Sequence, residues 1–491
     1  MRPETAPRQA TTFADLRFKY SAHIVLGMCA VVFAALLWAV RRLDFYYDEW
    51  DFVDKAERWR FEDYFVPHNE HWSTVPMVVY RLLIGLFGMH SYLPYSAALL
   101  LLHCGNAFLL FVVIRRRCGD ALGIGAAAIM LVLGRGSDDF IWAFQIGFSC
   151  SVLFGLVALV LLDAERPSRR ALVGASVALV LSLASSGEGL FFVVAAGVSM
   201  VLRCGGLGLG RALRRGGGME ATAVPSAVPE PLVPRLWSRY RKVAAVLAAP
   251  IVAYGVWYPL YGAQHATEAR SPLTLHAASG LFTFVPTGLG SGMTGIIGLD
   301  WQYRWIGFAT FVALFALLCR RGRTSALAVG LGVGVVAQFC LTGLVRAQYG
   351  DQLAGTSRYV YIAAVFILPM LAETLRTMES RLRWQAALAT VAAVGCFHST
   401  FVLDDAISDR NRLFSRQKAM LQTAWFLRDD PQLNLDAIID PADAPTLTVR
   451  LYLQTRRELG SPLRDLDARG IAALDAGDVG QARRNVLGGS R

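Results

Sequence analysis

Residues 43–72 read LDFYYDEWDFVDKAERWRFEDYFVPHNEHW. The stretch carries nine carboxylates (Asp44, Asp48, Glu49, Asp51, Asp54, Glu57, Glu62, Asp63 and Glu70), interleaved with rings such as Phe45, Tyr46, Tyr47, Trp50 and Trp72. A solvated acidic loop has little use for so many rings. The mixture describes a half-buried amphipathic segment lying on a bilayer surface, with rings at headgroup depth and carboxylates toward water. The segment follows directly on an apolar run at 22–40. That run delivers it to one face of a membrane, and the question becomes how many further runs cross.

The whole composition is that of a membrane protein. Of 491 residues, 55% are hydrophobic and 17% charged, where soluble chains carry about a quarter charged residues. A spanning helix needs about 20 mostly apolar residues. Eleven candidates lie near 22–40, 92–114, 121–134, 143–162, 171–186, 189–202, 243–261, 303–319, 326–344, 359–375 and 385–402, the third, fifth and sixth being short. The first starts after a long polar segment with no clear small-residue cleavage site, so it reads as a span and not as a cleaved leader.

The formal charge of +11 would suggest nucleic acid in a soluble chain. Here its distribution argues for topology instead. With residues 1–21 in the cytoplasm, the segments 1–21, 115–120, 163–170, 203–242, 320–325 and 376–384 fall on that side and hold half of the 48 Lys and Arg. Each contains a basic cluster, such as Arg115-Arg116-Arg117, as expected of short loops that resist translocation. An odd number of spans then places 403–491 on the extracytoplasmic side of the plasma membrane. Residues 203–242 read as a Gly/Pro-rich cytoplasmic linker. The 41–74 loop and the 403–491 tail hold none of the eight Cys, and there is no CxxC pair and no GxxxxGK[ST] phosphate loop. ATP-driven transport by this chain alone is disfavoured.

Candidate chemistry concentrates on the outer side. Asp44, Asp48 and Asp51 are spaced by four and three, which a helix would place on one face. Crowded carboxylates raise one another's pKa and favour proton transfer, or share a divalent cation such as Mg or Mn. The competing reading is a solvated acidic face beside Lys55, Arg58 and Arg60. In PHNEHW, His68, Glu70 and His71 could bind a metal or a phosphate; a capping or interfacial role for the two His stands beside that. The spacing is not HExxH, which disfavours zinc-protease chemistry. A metal set of Asp48, His68 and His71 is the expectation. The stretch 74–89 reads as an apolar helix too short to cross, hence interfacial or re-entrant, with Arg81 either touching phosphate or snorkelling to the headgroups. Arg358 and Tyr359 stand at the mouth of the tenth run, where a guanidinium suits a phosphate oxygen pair or simply anchors at the interface. Asp138-Asp139 falls on an outer turn, Glu188 lies between two runs, and 262–302 reads as a long outer loop.

Three features together resemble the GT-C class of membrane glycosyltransferases: a first outer loop opening on the acidic pair Asp48-Glu49, the segment PHNEHWSTVP, and the outer motif SRYVY from Ser357 to Tyr361. The class includes protein O-mannosyltransferases and aminoarabinose transferases. The resemblance implies a donor sugar on polyprenyl phosphate, an acceptor hydroxyl on a glycan, lipid or protein, and a carboxylate of the first loop as base. Asp48 matches that position and Glu49 its neighbour, with Asp51, His68, Glu70, His71, Arg81, Arg358 and Tyr359 as substrate contacts.

The expected architecture is an all-α polytopic membrane protein of about eleven spans, in which 22–402 forms the membrane domain and 41–91 its first outer loop. Residues 403–491 form a small external α/β domain, with helical RNRLFSRQKAMLQTAWFL and a strand in TLTVRLYL. Membrane lipids are partners and nucleic acid is not. The alternatives are a lipid or solute transporter, which would need ionisable groups deep in several spans, and a non-catalytic scaffold of envelope assembly.

Overall fold

A computed structural model describes residues 20–58, 60–205, 232–264, 275–320, 325–377 and 382–487. Most of the expected cytoplasmic N-terminus (1–21) and residues 206–231 of the expected linker lie outside them.

The chain is a polytopic helical membrane protein. Among the described residues, eight helices are long and apolar enough to cross a bilayer, and they coincide with the expected first, second, fourth and seventh to eleventh runs. The other three runs are the helices Asp120–Leu131, Arg169–Leu183 and Gly189–Gly205, which are shorter. Eleven crossings are therefore not reached on length alone. Thr74–Phe87 is a 14-residue helix, in keeping with an apolar segment too short to cross.

The first span, Ser21–Ala39, leaves Ile24, Leu26, Val31 and Trp38 exposed and buries Val25, Cys29 and Leu36 against the helix Leu93–Cys118. Apolar side chains left exposed on such a helix face hydrocarbon at no cost. The helix Ser357–Thr377 is the most enclosed: Tyr361 to Phe366 are fully buried. At one end of the bundle Asp163 accepts from Arg117 and Arg203, and Glu373 accepts from Ser325 (2.6 Å) and pairs with Arg117 (3.5 Å), tying five helices together. The acidic, aromatic segment occupies the other end.

Two expectations need correction. Much of 262–302 is not a loop: Leu275–Gly295 is a helix of 21 residues packed into the bundle at the end that carries the acidic segment. Its Gly-rich composition disguised it, yet the glycines are what seat it. A Cβ on Gly290 would collide with the carbonyl oxygen of Arg304, so the two backbones touch. TLTVRLYL is also only half strand. The hairpin Ile438–Asp440 with Ala444–Thr448 is antiparallel, pairing Ile438 with Thr448, and Thr448 then caps the helix Val449–Leu459 by accepting from Leu451 N–H. Val449, Tyr452 and Leu453 are buried at helical spacing.

The last apolar run continues without a break. Leu382–Phe426 is one helix of 45 residues, so the expected boundary at 402/403 falls inside it. The hairpin and the helices Val449–Leu459, Ala468–Ala472 and Ala476–Val486 follow, and this C-terminal segment packs on the acidic loop. Trp50 meets Tyr452 edge to face at 5.9 Å, Tyr46 stacks on Phe414 at 4.7 Å, and Met89 N–H donates to the Leu459 carbonyl at 2.7 Å.

Candidate active site

Asp48 directly precedes the helix Glu49–Arg58, whose first turn holds Glu49 and Asp51. Carboxylates there are stabilised by the helix N-terminus. The expected single helical face for Asp44, Asp48 and Asp51 does not form, because the helix starts only at Glu49. Asp44 is buried on the side of Lys418 and Arg456, and burial pushes its carboxyl up to about 6 against the pull of those cations.

His68 joins Asp48 and Asp51. Its Nε2 is 3.8 Å from Asp48 Oδ2 and its Nδ1 3.7 Å from Asp51 Oδ2. The ring is buried, stacked on Phe52 at 5.0 Å and edge-on to Phe144 at 5.2 Å, and Nε2 has no hydrogen-bond partner. One donor atom from each of the three residues lies within 4.8 Å of the others. Two carboxylate oxygens and an imidazole nitrogen fit a borderline-hard divalent cation such as Mn²⁺, and the orphaned Nε2 is what such an ion would satisfy.

His71 does not belong to this set, which corrects the expected Asp48, His68, His71 arrangement. His68 and His71 face each other across a tight turn, exchanging 3.1 and 3.0 Å backbone hydrogen bonds. His71 Nδ1 then accepts from Gly187 N–H at 3.2 Å, and its ring lies edge-on to Phe148. Asp51 takes the place expected of His71, held by Thr446 Oγ1 donating to Asp51 Oδ1 at 2.6 Å.

Backbone strain concentrates here. Tyr47 and Asn69 are the positive-φ non-glycine residues among those described, both at 53°. One immediately precedes Asp48 and the other immediately follows His68. Such conformations cost about 1–2 kcal/mol for residues with a Cβ and persist where surrounding contacts impose them.

Glu49 has a different setting from its neighbour. Its carboxylate is fully buried and accepts from Tyr80 (2.7 Å) and Tyr92 (3.0 Å) hydroxyls, Trp142 Nε1 (3.0 Å) and Tyr46 N–H (2.9 Å). Burial pushes its pKa up to about 8 while these donors oppose the rise. It cannot reach a substrate without breaking that cage, so it ties the loop to the bundle.

The remaining candidates spread around this centre. Glu70 Oε2 accepts from Arg346 at 3.1 Å, joining the PHNEHW turn to the end of helix Ala326–Arg346. Trp72 stacks on Trp257 at 5.4 Å and anchors the turn from the other side. Arg358 is exposed, over the Tyr359 ring at 5.8 Å, and lies close enough to Tyr47 to oppose the rise of its hydroxyl pKa with burial. Arg81 is half-buried and acts in the same way on Tyr64.

Arg410 and Thr446 were not singled out from the sequence, and Arg346 stood out only as a basic residue of the outer loop before Ser357, with no role assigned. Arg410 pairs with Asp138, while its guanidinium covers Trp142 at 4.9 Å. They come from the far half of the chain, and a lone Arg or Thr there carries no local signal.

No family model and no curated protein matches the chain. Solved structures do. The crystal structure of ArnT from Cupriavidus metallidurans bound to undecaprenyl phosphate aligns with a TM-score of 0.50 at 14% identity, covering 94% of this chain and 87% of that one. The same protein in the apo state gives 0.50 and 14%, with 95% and 88% covered. Coverage is nearly full in both directions, and the chain has the fold of ArnT, a GT-C membrane glycosyltransferase.

Proposed function

We propose that the protein is a membrane glycosyltransferase that moves a sugar from a polyprenyl-phosphate donor to an acceptor hydroxyl of a glycan, lipid or protein on the extracytoplasmic face. The observation that carries this reading is the pairing of half-exposed Asp48 with buried His68 beside strained Tyr47, at the loop-bearing end of an ArnT-like fold.

Asp48 is the base. It takes the proton of the acceptor hydroxyl as that oxygen bonds to the anomeric carbon, while the bond from that carbon to the phosphate oxygen breaks. The transition state is oxocarbenium-like, and a single displacement inverts the anomeric centre. His68 orients Asp48 and receives part of its charge. Arg358 and Arg346, at the same end of the bundle, supply cations for the leaving lipid phosphate. Asp48, Asp51 and His68 would hold a divalent cation, which supplies charge neutralisation there. The basic clusters at the opposite end support a cytoplasmic position for that end, with residues 403–491 outside.

The test is purified protein offered a panel of polyprenyl-phosphate sugars. Wild type transfers from at least one, and Asp48→Asn loses transfer with the fold intact. Full transfer by Asp48→Asn removes Asp48 as base; no transfer by wild type from any donor favours a transporter or a scaffold.

A further inference from the structure

Two cavities follow one another along the first span Ser21–Ala39: an apolar one where it meets the helices Asp120–Leu131 and Leu382–Phe426, and a cationic one just past its end, beside Lys418 of the long helix. The larger one, about 410 Å³, is lined by Gly27, Val31 and Val32 of the first span, by Leu131, and by Phe397 and Thr400 of the long helix. Nothing polar enters it except the Thr400 hydroxyl and the Cys396 thiol. Val31 and Phe397 at its rim are 70% and 65% exposed, so it opens sideways to hydrocarbon.

The second cavity, about 240 Å³, sits just past the end of the first span, where residues 40–44 meet Lys418 and the C-terminal segment at Pro462 and Leu463. Arg41, Arg42 and Lys418 line it together with His90 and the start of helix Leu93–Cys118. The one carboxylate in its wall is Asp44, which is buried. Lys418 also donates to the Arg42 carbonyl, and Arg41 lies over exposed Trp38 at 3.8 Å. Cations beside an interfacial Trp, immediately past the end of a span, stand at headgroup depth. Val32 and Val40 are eight residues apart on the first span, so the apolar and cationic cavities are about 12 Å apart along it.

We infer that this cleft is a binding site for an anionic glycerophospholipid, with its phosphate against Arg41, Arg42 and Lys418 and an acyl chain in the groove beside Gly27. A free phosphate would use only the cationic end and leave the apolar half without a purpose. The site is separate from the Asp48 cluster: Tyr92 lines the cationic cavity and donates its hydroxyl to Glu49 at 3.0 Å, so it is part of the wall between them. The lipid would brace the first span, the acidic loop and the C-terminal segment where they meet. This inference uses the membrane position of the two helices and does not rest on the transfer reaction.

The test is retention of lipid by the full-length protein in mixed phosphatidylglycerol and phosphatidylcholine nanodiscs, read by native mass spectrometry. Wild type should keep phosphatidylglycerol over phosphatidylcholine by about tenfold, the order expected of a few interfacial cations. Arg42→Gln and Lys418→Gln should each cut the preference, and Gly27→Leu should lower retention by filling the groove, where a Cβ meets nothing within 4 Å. Gly27→Leu leaves the C-terminal contacts untouched, so its effect does not pass through misfolding at Lys418. Equal retention of the two lipids by wild type overturns the site. Unchanged retention in Gly27→Leu, with displacement by millimolar inorganic phosphate, overturns the lipid in favour of a soluble anion.

Discussion

His68 turns one ring nitrogen to Asp48 at 3.8 Å and the other to Asp51 at 3.7 Å. A single imidazole thus couples the acidic pair that opens the first loop to the turn that closes it. Neither distance is a hydrogen bond, so the three groups are held near one another by the scaffold and not by mutual bonding. Phe52, Phe144 and the two strained residues are that scaffold.

Removing the imidazole should therefore act on chemistry and leave folding alone. His68→Gln is expected to cut the transfer rate by about 10²-fold, the order of a lost acid–base partner, with KM for the donor little changed. A KM effect with unchanged kcat would contradict the role given to His68.

Metal binding separates the cluster found from the set expected. Mn²⁺ titration followed by EPR should show one site that Asp51→Ala and His68→Ala weaken by at least about tenfold, since each removes a ligand. His71→Ala should leave it intact because His71 Nδ1 is committed to Gly187. Loss of the site in His71→Ala alone would restore the arrangement expected from the motif.

Glu49 makes a statement about pH. Its folded pKa is pushed up to about 8 by burial, from an ordinary value of 4.5. The folded state then binds the proton more tightly than the unfolded one. Stability is greatest below about 4.5 and declines as pH rises toward about 8. Thermal unfolding in detergent should show this decline, and Glu49→Gln should flatten it. Glu49→Ala leaves the Tyr80, Tyr92 and Trp142 donors without their acceptor and should cost about 3 kcal/mol. A midpoint unaffected by pH would show that the carboxyl is not buried as described.

The turn at Asn69 offers a test of strain. Its φ of 53° suits glycine, so Asn69→Gly should be neutral or slightly stabilising, while Asn69→Val should cost about 1–2 kcal/mol. If the turn positions His68, Asn69→Val should also lose activity and Asn69→Gly should keep it. Activity assays on both variants, at matched folded fractions, decide this.

The sequence made some of this legible and concealed the rest for identifiable reasons. Length and hydropathy located all eight long apolar helices among the described residues, because a bilayer imposes one length on all helices that cross it. Leu275–Gly295 escaped because small residues lower hydropathy while favouring close packing. At the site, Asp48, Asp51 and His68 stood out by local density. Adjacent Asp48 and Glu49 look equivalent in one dimension; only the fold shows that one borders the site and the other is caged by two tyrosines and a tryptophan. The contributions of Arg346, Arg410 and Thr446 depend on contacts across hundreds of residues, which no spacing rule reaches.

The uninterrupted helix Leu382–Phe426 has a mechanical consequence. Its 45 residues span about 68 Å at 1.5 Å each, more than twice the hydrocarbon thickness. It is a lever whose one arm lies in the bilayer and whose other arm carries the roof over the acidic loop. A tilt of about five degrees at the buried arm would swing the far tip by about 6 Å over that length. Any lateral pressure that rocks the helix in the membrane is thereby magnified at Tyr46 and Asp51, which hydrogen-bond to Asp443 and Thr446 of the roof.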